Sequence, residues 1–302
     1  FPEQGNFTHG TFASISARAD TGYFFTGWSG QGVTDANAPI TTVSMTEARS
    51  VSATFSLNAY PLSLSAENGG GVSGAGNFAH GSLASITAIP DEGYVFTGWS
   101  GEGVTDANAP ITTVSMTEAR SVSATFSLNA YPLSLSAENG GGVSGAGNFS
   151  HGSLASITAI PDEGYVFTGW SGEGITDANA PITTVSMTQA RSVSATFSLN
   201  AYPLSLSAEN GGGVSGAGNF AHGNFASITA IPDEGYVFTG WSGEGVTDAN
   251  APITTVSMTQ ARSVSALFSL KSYALNLSAG EGGSVTGTGS FVHGSLASIT
   301  AT

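Results

Sequence analysis

A cluster of aromatic residues offers the first candidate for chemistry. Tyr94, Phe96 and Trp99 lie close together in the stretch 93–101, and a flat ring of this kind could stack on the apolar face of a sugar. Side chains this large are also what a small domain needs to fill its interior. We therefore expect these three residues to form part of a core, and an exposed sugar-binding platform is the alternative.

Four acidic residues offer a second candidate. Asp91, Glu92, Glu102 and Asp106 carry the carboxylate oxygens that Ca²⁺ prefers, which makes them weak calcium candidates. Their order lacks the dense D-x-[DN]-x-[DN]-G spacing of a calcium loop, and the sequence Pro-Asp-Glu-Gly is typical of a tight turn. We therefore expect ordinary turns, no required cofactor and folding without a metal ion.

Histidine and serine give less support for a site. The chain has no Cys, and its five His residues recur singly in similar surroundings, so each copy supplies one ligand where zinc takes three or four protein ligands. A loop histidine before a glycine turn is the simpler interpretation of His80. The stretch 98–101 lacks the G-x-S-x-G spacing of a nucleophile elbow. The residues therefore predict a protein that is not an enzyme.

The charge of the chain excludes two classes of partner. It has 6 Lys+Arg against 21 Asp+Glu, a formal net charge of −15, and only 9% charged residues. So few cations cannot neutralise a run of phosphates, and an anionic membrane surface would repel this acidic chain. No apolar run approaches the roughly 20 residues that span a bilayer. We expect no nucleic-acid partner and no membrane insertion.

The chain is one unit copied in tandem. Trp28, Trp99, Trp170 and Trp241 stand 71 residues apart, and the histidines and most arginines keep the same interval. Near-identical serial copies favour a spacer, a scaffold or a multivalent binder over a single active site. The predicted domains are a partial repeat lacking its first strand at 1–57, complete repeats at 58–128, 129–199 and 200–270, and a partial repeat with the first strands only at 271–302.

Within a unit the hydrophobic period is two, which predicts strands. Val122 and Phe126 alternate with Ser and Thr in the stretch 120–128, and we place both in the core. No segment has the pattern of a useful amphipathic helix, so the sequence predicts an all-β chain with a glycine turn and a short irregular strand at 68–76. Further strands are expected around 62–66, 83–89, 94–99 and 111–116.

The connections between units are short. Only residues 128–132 separate the closing strand of one unit from the opening strand of the next, too few for a flexible tether. We assign the junctions to one Tyr-Pro pair per connection, which stiffens it through a fixed φ and a large apolar ring. The sequence predicts an elongated rod whose strand edges, almost without Lys, favour self-association into fibres. The junction residues are Tyr60, Pro61, Tyr131, Pro132, Tyr202 and Pro203.

These motifs carry a family resemblance. The string GYVFTGWSG at 93–101, the strand PITTVSM, the closing RSVSATF and the opening LSLSAENGGG are together similar to the divergent InlB B-repeat family over nearly the whole unit. The resemblance implies a small β-grasp-like module, strung in tandem in secreted or wall-attached bacterial surface proteins. It implies an extracellular location at the cell surface and supplies no functional residue.

Two functions remain open. The first is a structural protein that forms a stalk, filament or matrix fibre, and the second is a multivalent adhesin array that binds glycan or protein ligands. We also expect the 302 residues to be cut from a longer tandem chain, because the first unit lacks the counterpart of 58–71.

Overall fold

The computed structural model describes residues 5–302, and the first four residues of the predicted partial repeat 1–57 lie outside it. Twenty-nine strands and no helix are present in this range. Among these residues, therefore, no helical segment could span a bilayer. The expectation of an all-β chain of small repeated modules is confirmed.

The strands recur with the period of the sequence. In the partial repeats they are β1 Thr11–Ser16, β2 Tyr23–Ser29, β3 Ile40–Met45 and β4 Ser52–Leu57 at the front, and β26 Ser272–Leu275, β27 Val285–Thr286, β28 Gly289–Val292 and β29 Thr300–Ala301 at the end. In the complete repeats they are β5 Ala59–Ala66, β6 Gly70–Ser73, β7 Gly76–Ala79, β8 Ser82–Pro90, β9 Tyr94–Ser100, β10 Ile111–Met116 and β11 Arg120–Leu128; β12 Ala130–Ala137, β13 Gly141–Ser144, β14 Gly147–Ser150, β15 Ser153–Pro161, β16 Tyr165–Ser171, β17 Ile182–Met187 and β18 Arg191–Leu199; and β19 Ala201–Ala208, β20 Gly212–Ser215, β21 Gly218–Ala221, β22 Asn224–Pro232, β23 Tyr236–Ser242, β24 Ile253–Met258 and β25 Arg262–Leu270.

The tertiary contacts divide the chain into two compact units. The first comprises Phe1–Tyr131 and Phe149–Ser153, and the second comprises Pro132–Asn148 and Leu154–Thr302. The second repeat lies entirely within the first unit, and the fourth repeat lies entirely within the second. These two repeats therefore show the module in each unit.

Each of these modules contains a four-stranded mixed sheet. In the second repeat its order is β7-β5-β11-β9. The first and last strands, β5 and β11, are parallel neighbours at its centre, with Leu62 opposite Arg120. The outer strands pair antiparallel with them, and β9 carries a bulge opposite Thr125 and Phe126. This central parallel pair is the feature that agrees with a β-grasp-like module.

A three-stranded antiparallel sheet completes the module, with the order β10-β8-β6. The inner residues of the two sheets meet in one core, where alternation along each strand places every second side chain. Full burial of each large aliphatic side chain stabilises the module by about 1.5–3 kcal/mol. The buried set in the second repeat is Leu62, Ala84, Ile86, Ala88, Trp99, Val114, Met116, Val122 and Ala124, and the fourth repeat buries the same nine positions.

Candidate functional site

The aromatic cluster faces the interior. Trp99 is 6% exposed, and its indole Nε1–H donates to the Ala109 carbonyl at 3.0 Å. The Phe96 ring lies 5.6 Å from the Trp99 ring and 6.0 Å from the Phe126 ring, centroid to centroid. Because the indole is enclosed by protein, it offers no open face for stacking on a sugar.

The other core candidates differ in burial. Val122 is buried and belongs to the same core as Trp99, whereas Phe96 and Phe126 are half-buried and pack against that core. Tyr94 is also half-buried and lies against Gly69, where its ring occupies the space that a Cβ atom would need.

The four acidic candidates are used separately. Asp91 and Glu92 are exposed in the turn before β9, where the Asp91 carbonyl accepts the Tyr94 N–H at 3.0 Å. Asp106 closes its own loop, since its Oδ1 accepts the Asn108 N–H at 2.9 Å. Glu102 binds Arg120. Across residues 5–302, no three His, Asp or Glu side chains gather closely enough to hold a metal ion.

A nearly buried arginine is a feature that the sequence reasoning used only as a period marker. The Arg120 side chain is 13% exposed, and its Nε–H donates to the Ser115 carbonyl at 3.1 Å. Its Nη1 lies 3.2 Å from Glu102 and its Nη2 lies 3.3 Å from Glu118. The guanidinium thus joins the end of β10, the start of β11 and the loop after β9.

The copies exchange the carboxylate but keep the pair. Arg49 of the first repeat pairs with Glu47, because Gln31 stands at the position of Glu102. In the third and fourth repeats glutamine stands at the position of Glu118. The arginines of these repeats pair with Glu173 and Glu244, the counterparts of Glu102. This exchange is the signal by which the sequence could have revealed the arginine, since each of the four copies that carry it retains at least one acidic partner.

The junctions between repeats are closed by backbone hydrogen bonds. The Asn129 N–H donates to the Gly93 carbonyl at 2.7 Å, and the Asn129 carbonyl accepts the His151 N–H at 2.8 Å. The same two bonds recur inside the second compact unit, where Asn200 donates to Gly164 and accepts from His222, both at 2.8 Å. Asn129, the first residue of the repeat 129–199, thus binds the turn of the preceding repeat and the histidine of its own repeat.

Side chains cover the same junction. The His151 ring lies against Gly93, where a Cβ atom would come within 2.3 Å of its Cδ2. Gly93 has a φ of +80°, so glycine suits the position on both backbone and steric grounds. The Tyr131 ring packs edge-on against His151 with centroids 5.9 Å apart. The histidine therefore has a packing role that its position before a glycine did not reveal.

The Tyr-Pro pairs lie inside strands, which differs from the expected five-residue connection. Only Asn129 separates β11 from β12, so the connection is one residue long. The prolines are exposed, and the tyrosines beside them are half-buried. Proline is accommodated in β5 because parallel pairing with β11 begins only at the next residue, Leu62.

A cavity of about 520 Å³ opens in the first repeat. Its apolar lining includes Ala13, Val43, Met45 and Val51, the counterparts of core residues in the second repeat. There Leu62 of β5 covers the equivalent space, whereas the first repeat has no counterpart of β5 among the described residues. The cavity is thus an open part of a core, and His9, Glu47 and Arg49 line its polar side.

Comparison with protein families places five tandem copies of one domain along the chain. A family described as the divergent InlB B-repeat domain matches residues 2–59, 60–130, 131–201, 202–272 and 273–302. A solved structure of the Bacillus anthracis TIE protein is similar with 9% sequence identity and a TM-score of 0.37, over 85% of this chain and 67% of that one. No curated protein matches the chain.

Proposed function

The chain belongs to the divergent InlB B-repeat family, and from that membership we propose that it is a structural repeat array which forms a stalk, filament or matrix fibre. Repeats of this family are typical of bacterial surface proteins and are generally non-enzymatic. The proposal includes an extracellular location and the absence of catalysis.

The one-residue junction carries this proposal. A flexible tether would let neighbouring repeats reorient, but here a single asparagine connects two strands and forms backbone hydrogen bonds on both sides. The bonds occur in both compact units, with nearly equal lengths. A junction built this way favours a repeated, fairly fixed angle between consecutive repeats, as in other quasi-one-dimensional repeat proteins.

The near identity of the copies supports the same role. The repeats 58–128 and 129–199 differ only at the pairs Ala79/Ser150, Val104/Ile175 and Glu118/Gln189. A spacer gains length with every added copy and needs no variation between copies. Independent ligand sites would also gain avidity from repetition, so the rigidity of the junction is the property that separates the two functions.

Small-angle X-ray scattering on the 302-residue chain at low concentration tests the proposal. We expect the profile of a stiff particle, with a length on the order of 120–150 Å from the usual size of a module. A variant with a short Gly-Ser insertion between Leu128 and Asn129 should lose this stiffness. The insertion would separate Asn129 from the end of β11 and so from the Gly93 carbonyl that it binds. The same insertion after Gly74, in the connection between β6 and β7, is the matched control and should leave the profile unchanged.

A profile of independent beads in the unmodified chain would contradict the structural role. That result would favour the second function, a flexible multivalent adhesin array for glycan or protein ligands. Equal profiles for the two insertion variants would show that the junction does not set the stiffness.

A further inference from the structure

The outer face of the three-stranded sheet carries large apolar side chains in contact with solvent. In the second repeat, Leu83 is 64% exposed, Ile89 is 54% exposed and Ile111 is 67% exposed. The register of β8 against β10 places all three on the side of the sheet away from the core. We call this surface, formed by the outward residues of β8 and β10, the apolar outer face.

The side chains between the apolar positions are hydroxyls. Leu83 stands opposite Ser115, at one end of the face. Ile111 stands opposite Thr87, and Ile89 lies diagonally across from Ile111 at the other end, within reach of it. A partner surface therefore meets apolar groups at both ends and neutral hydroxyls between them.

The exposed apolar positions recur in the three complete repeats, and those of Leu83 and Ile111 also recur in the first repeat, where Arg18 stands at the position of Ile89. The position of Leu83 is held by Leu or Phe throughout, although neither residue contributes to a core there. A solvent-facing strand position is normally free to become Ser or Thr, so its constant apolar character within the chain points to a contact outside the module. The counterparts are Phe12 and Ile40 in the first repeat, Leu154, Ile160 and Ile182 in the third, and Phe225, Ile231 and Ile253 in the fourth, all exposed.

The absence of charge on the three strands of this sheet favours a second copy of the chain as the partner. Strands β6, β8 and β10 contain no Asp, Glu, Lys or Arg, although the chain as a whole has a net charge of −15. A cationic partner would find no carboxylate on these strands to pair with. A second copy of the chain avoids like-charge repulsion when it docks through this uncharged face rather than through the acidic turns.

We propose that two copies of the chain associate by packing their apolar outer faces against each other. Two identical patches are self-complementary under a two-fold axis, and stacked sheets pack about 10 Å apart. The proposal rests on the proposed structural function, because it needs consecutive repeats that present their faces together.

The area of the apolar outer face explains why consecutive repeats must act together. Three strands make it about 14 Å wide, and six residues make it about 20 Å long, which gives about 300 Å² per repeat. A stable interface takes about 800 Å² from each partner, and weak ones take about 600 Å². One repeat is therefore too small to hold a second copy, and at least two repeats of each chain must contribute.

Sedimentation velocity over a concentration series of the full 302-residue chain tests the inference. We expect reversible association of the unmodified chain and at least about tenfold weaker association for F12E/L83E/L154E/F225E, since a charge would be buried at each contact. The matched control is F24E/V95E/V166E/V237E. It adds the same four charges at exposed apolar residues of the other sheet, and its association should remain close to that of the unmodified chain.

Added salt supplies an independent readout. Screening weakens the repulsion between the acidic turns of two copies, so association through the uncharged face should strengthen or hold constant as salt rises. Equal loss of association in both quadruple variants would attribute the effect to net charge and overturn the inference. An unmodified chain that stays monomeric at every concentration would also overturn it.

The two proposals fail in different ways. A chain that scatters as a stiff particle and never associates retains the structural function and loses the apolar outer face as an interface. A chain that scatters as flexible beads contradicts the structural function, and with it the association that rests on that function. Circular dichroism of both quadruple variants verifies that the strands are intact.

Discussion

At the scale of single residues, Arg120 and its counterparts stabilise each module mainly through contacts other than ion pairs. The paired glutamates are 84–89% exposed at the position of Glu102, and exposed pairs contribute about 0–1 kcal/mol. The arginine itself is nearly buried, and its Nε–H donates to a backbone carbonyl. Removal of the guanidinium leaves that carbonyl without this donor.

We therefore predict that R120M/R191M/R262M lowers the free energy of unfolding by about 1–3 kcal/mol per affected module. E102Q should change it by less than about 0.5 kcal/mol, as the natural Gln31 suggests. Urea denaturation followed by tryptophan fluorescence measures both. R18M removes an exposed arginine and serves as the control; a triple variant no less stable than R18M would refute the assignment.

The junction glycine permits a test with an internal control. Gly93 and Gly81 have φ values of +80° and +77°, but an added Cβ meets His151 at the first and nothing within 4 Å at the second. Both G93A and G81A should lose about 1–2 kcal/mol to backbone strain. G93A should lose more, because the His151 ring must move.

The extra loss in G93A should disappear in the H151A background, where the ring is absent. Thermal unfolding of the four variants G81A, G93A, H151A and G93A/H151A gives this comparison. If G93A were as stable as G81A, the ring contact would not contribute to the junction.

At the scale of strands and loops, alternation predicted much of the module. The stretches 111–116 and 120–128 match β10 and β11, and 83–89 and 94–99 fall short of β8 and β9 by a residue at one or both ends. Alternation shows which face of a strand is buried but not which strand is its neighbour, so the parallel pairing of β5 with β11 was not predicted. The many glycines of 68–76 favour a turn and one short irregular strand, whereas the structure has two strands there, β6 and β7.

The candidate site was less predictable than the strands. The Asn129 junction is made by backbone atoms, which leave no side-chain pattern in a sequence. The histidine role depends on a contact between neighbouring repeats, so no motif within one repeat reports it. The predicted repeat limits 58–128 and the family limits 60–130 differ by two residues, and the prediction of 58–128 stays untested.

The acidic loops lead to a prediction about metal removal. Because the Glu102 and Asp106 carboxylates have separate partners and Asp91 contributes backbone groups to its turn, folding should not depend on a divalent ion. We expect EDTA to leave the melting temperature within a few degrees in differential scanning calorimetry. A large drop that Ca²⁺ restores and Mg²⁺ does not would identify the turns as calcium loops.

At the scale of the whole molecule, the copies should be interchangeable. Deletion of 129–199 joins Leu128 to Asn200 and recreates the sequence of the original junction. We predict an unchanged strand content per residue by circular dichroism and a similar urea midpoint, because repeat stability is roughly a sum over modules and their interfaces. Deletion of 129–164 removes half a module and should expose apolar surface, seen as aggregation or dye binding. Similar behaviour of the two deletions would contradict modular folding.

The parallel pair at the centre of each sheet also determines how a module bears tension. The chain enters the second repeat through β5 and leaves it through β11, and the two strands point the same way. A pull on both ends drags them past each other along their length, so the hydrogen bonds between 62–66 and 120–124 are loaded simultaneously in shear instead of being unzipped singly. Forced unfolding is governed by the unfolding rate rather than by equilibrium stability. A module of modest thermodynamic stability can therefore have high mechanical strength, a property that the proposed stalk or filament would need under tension.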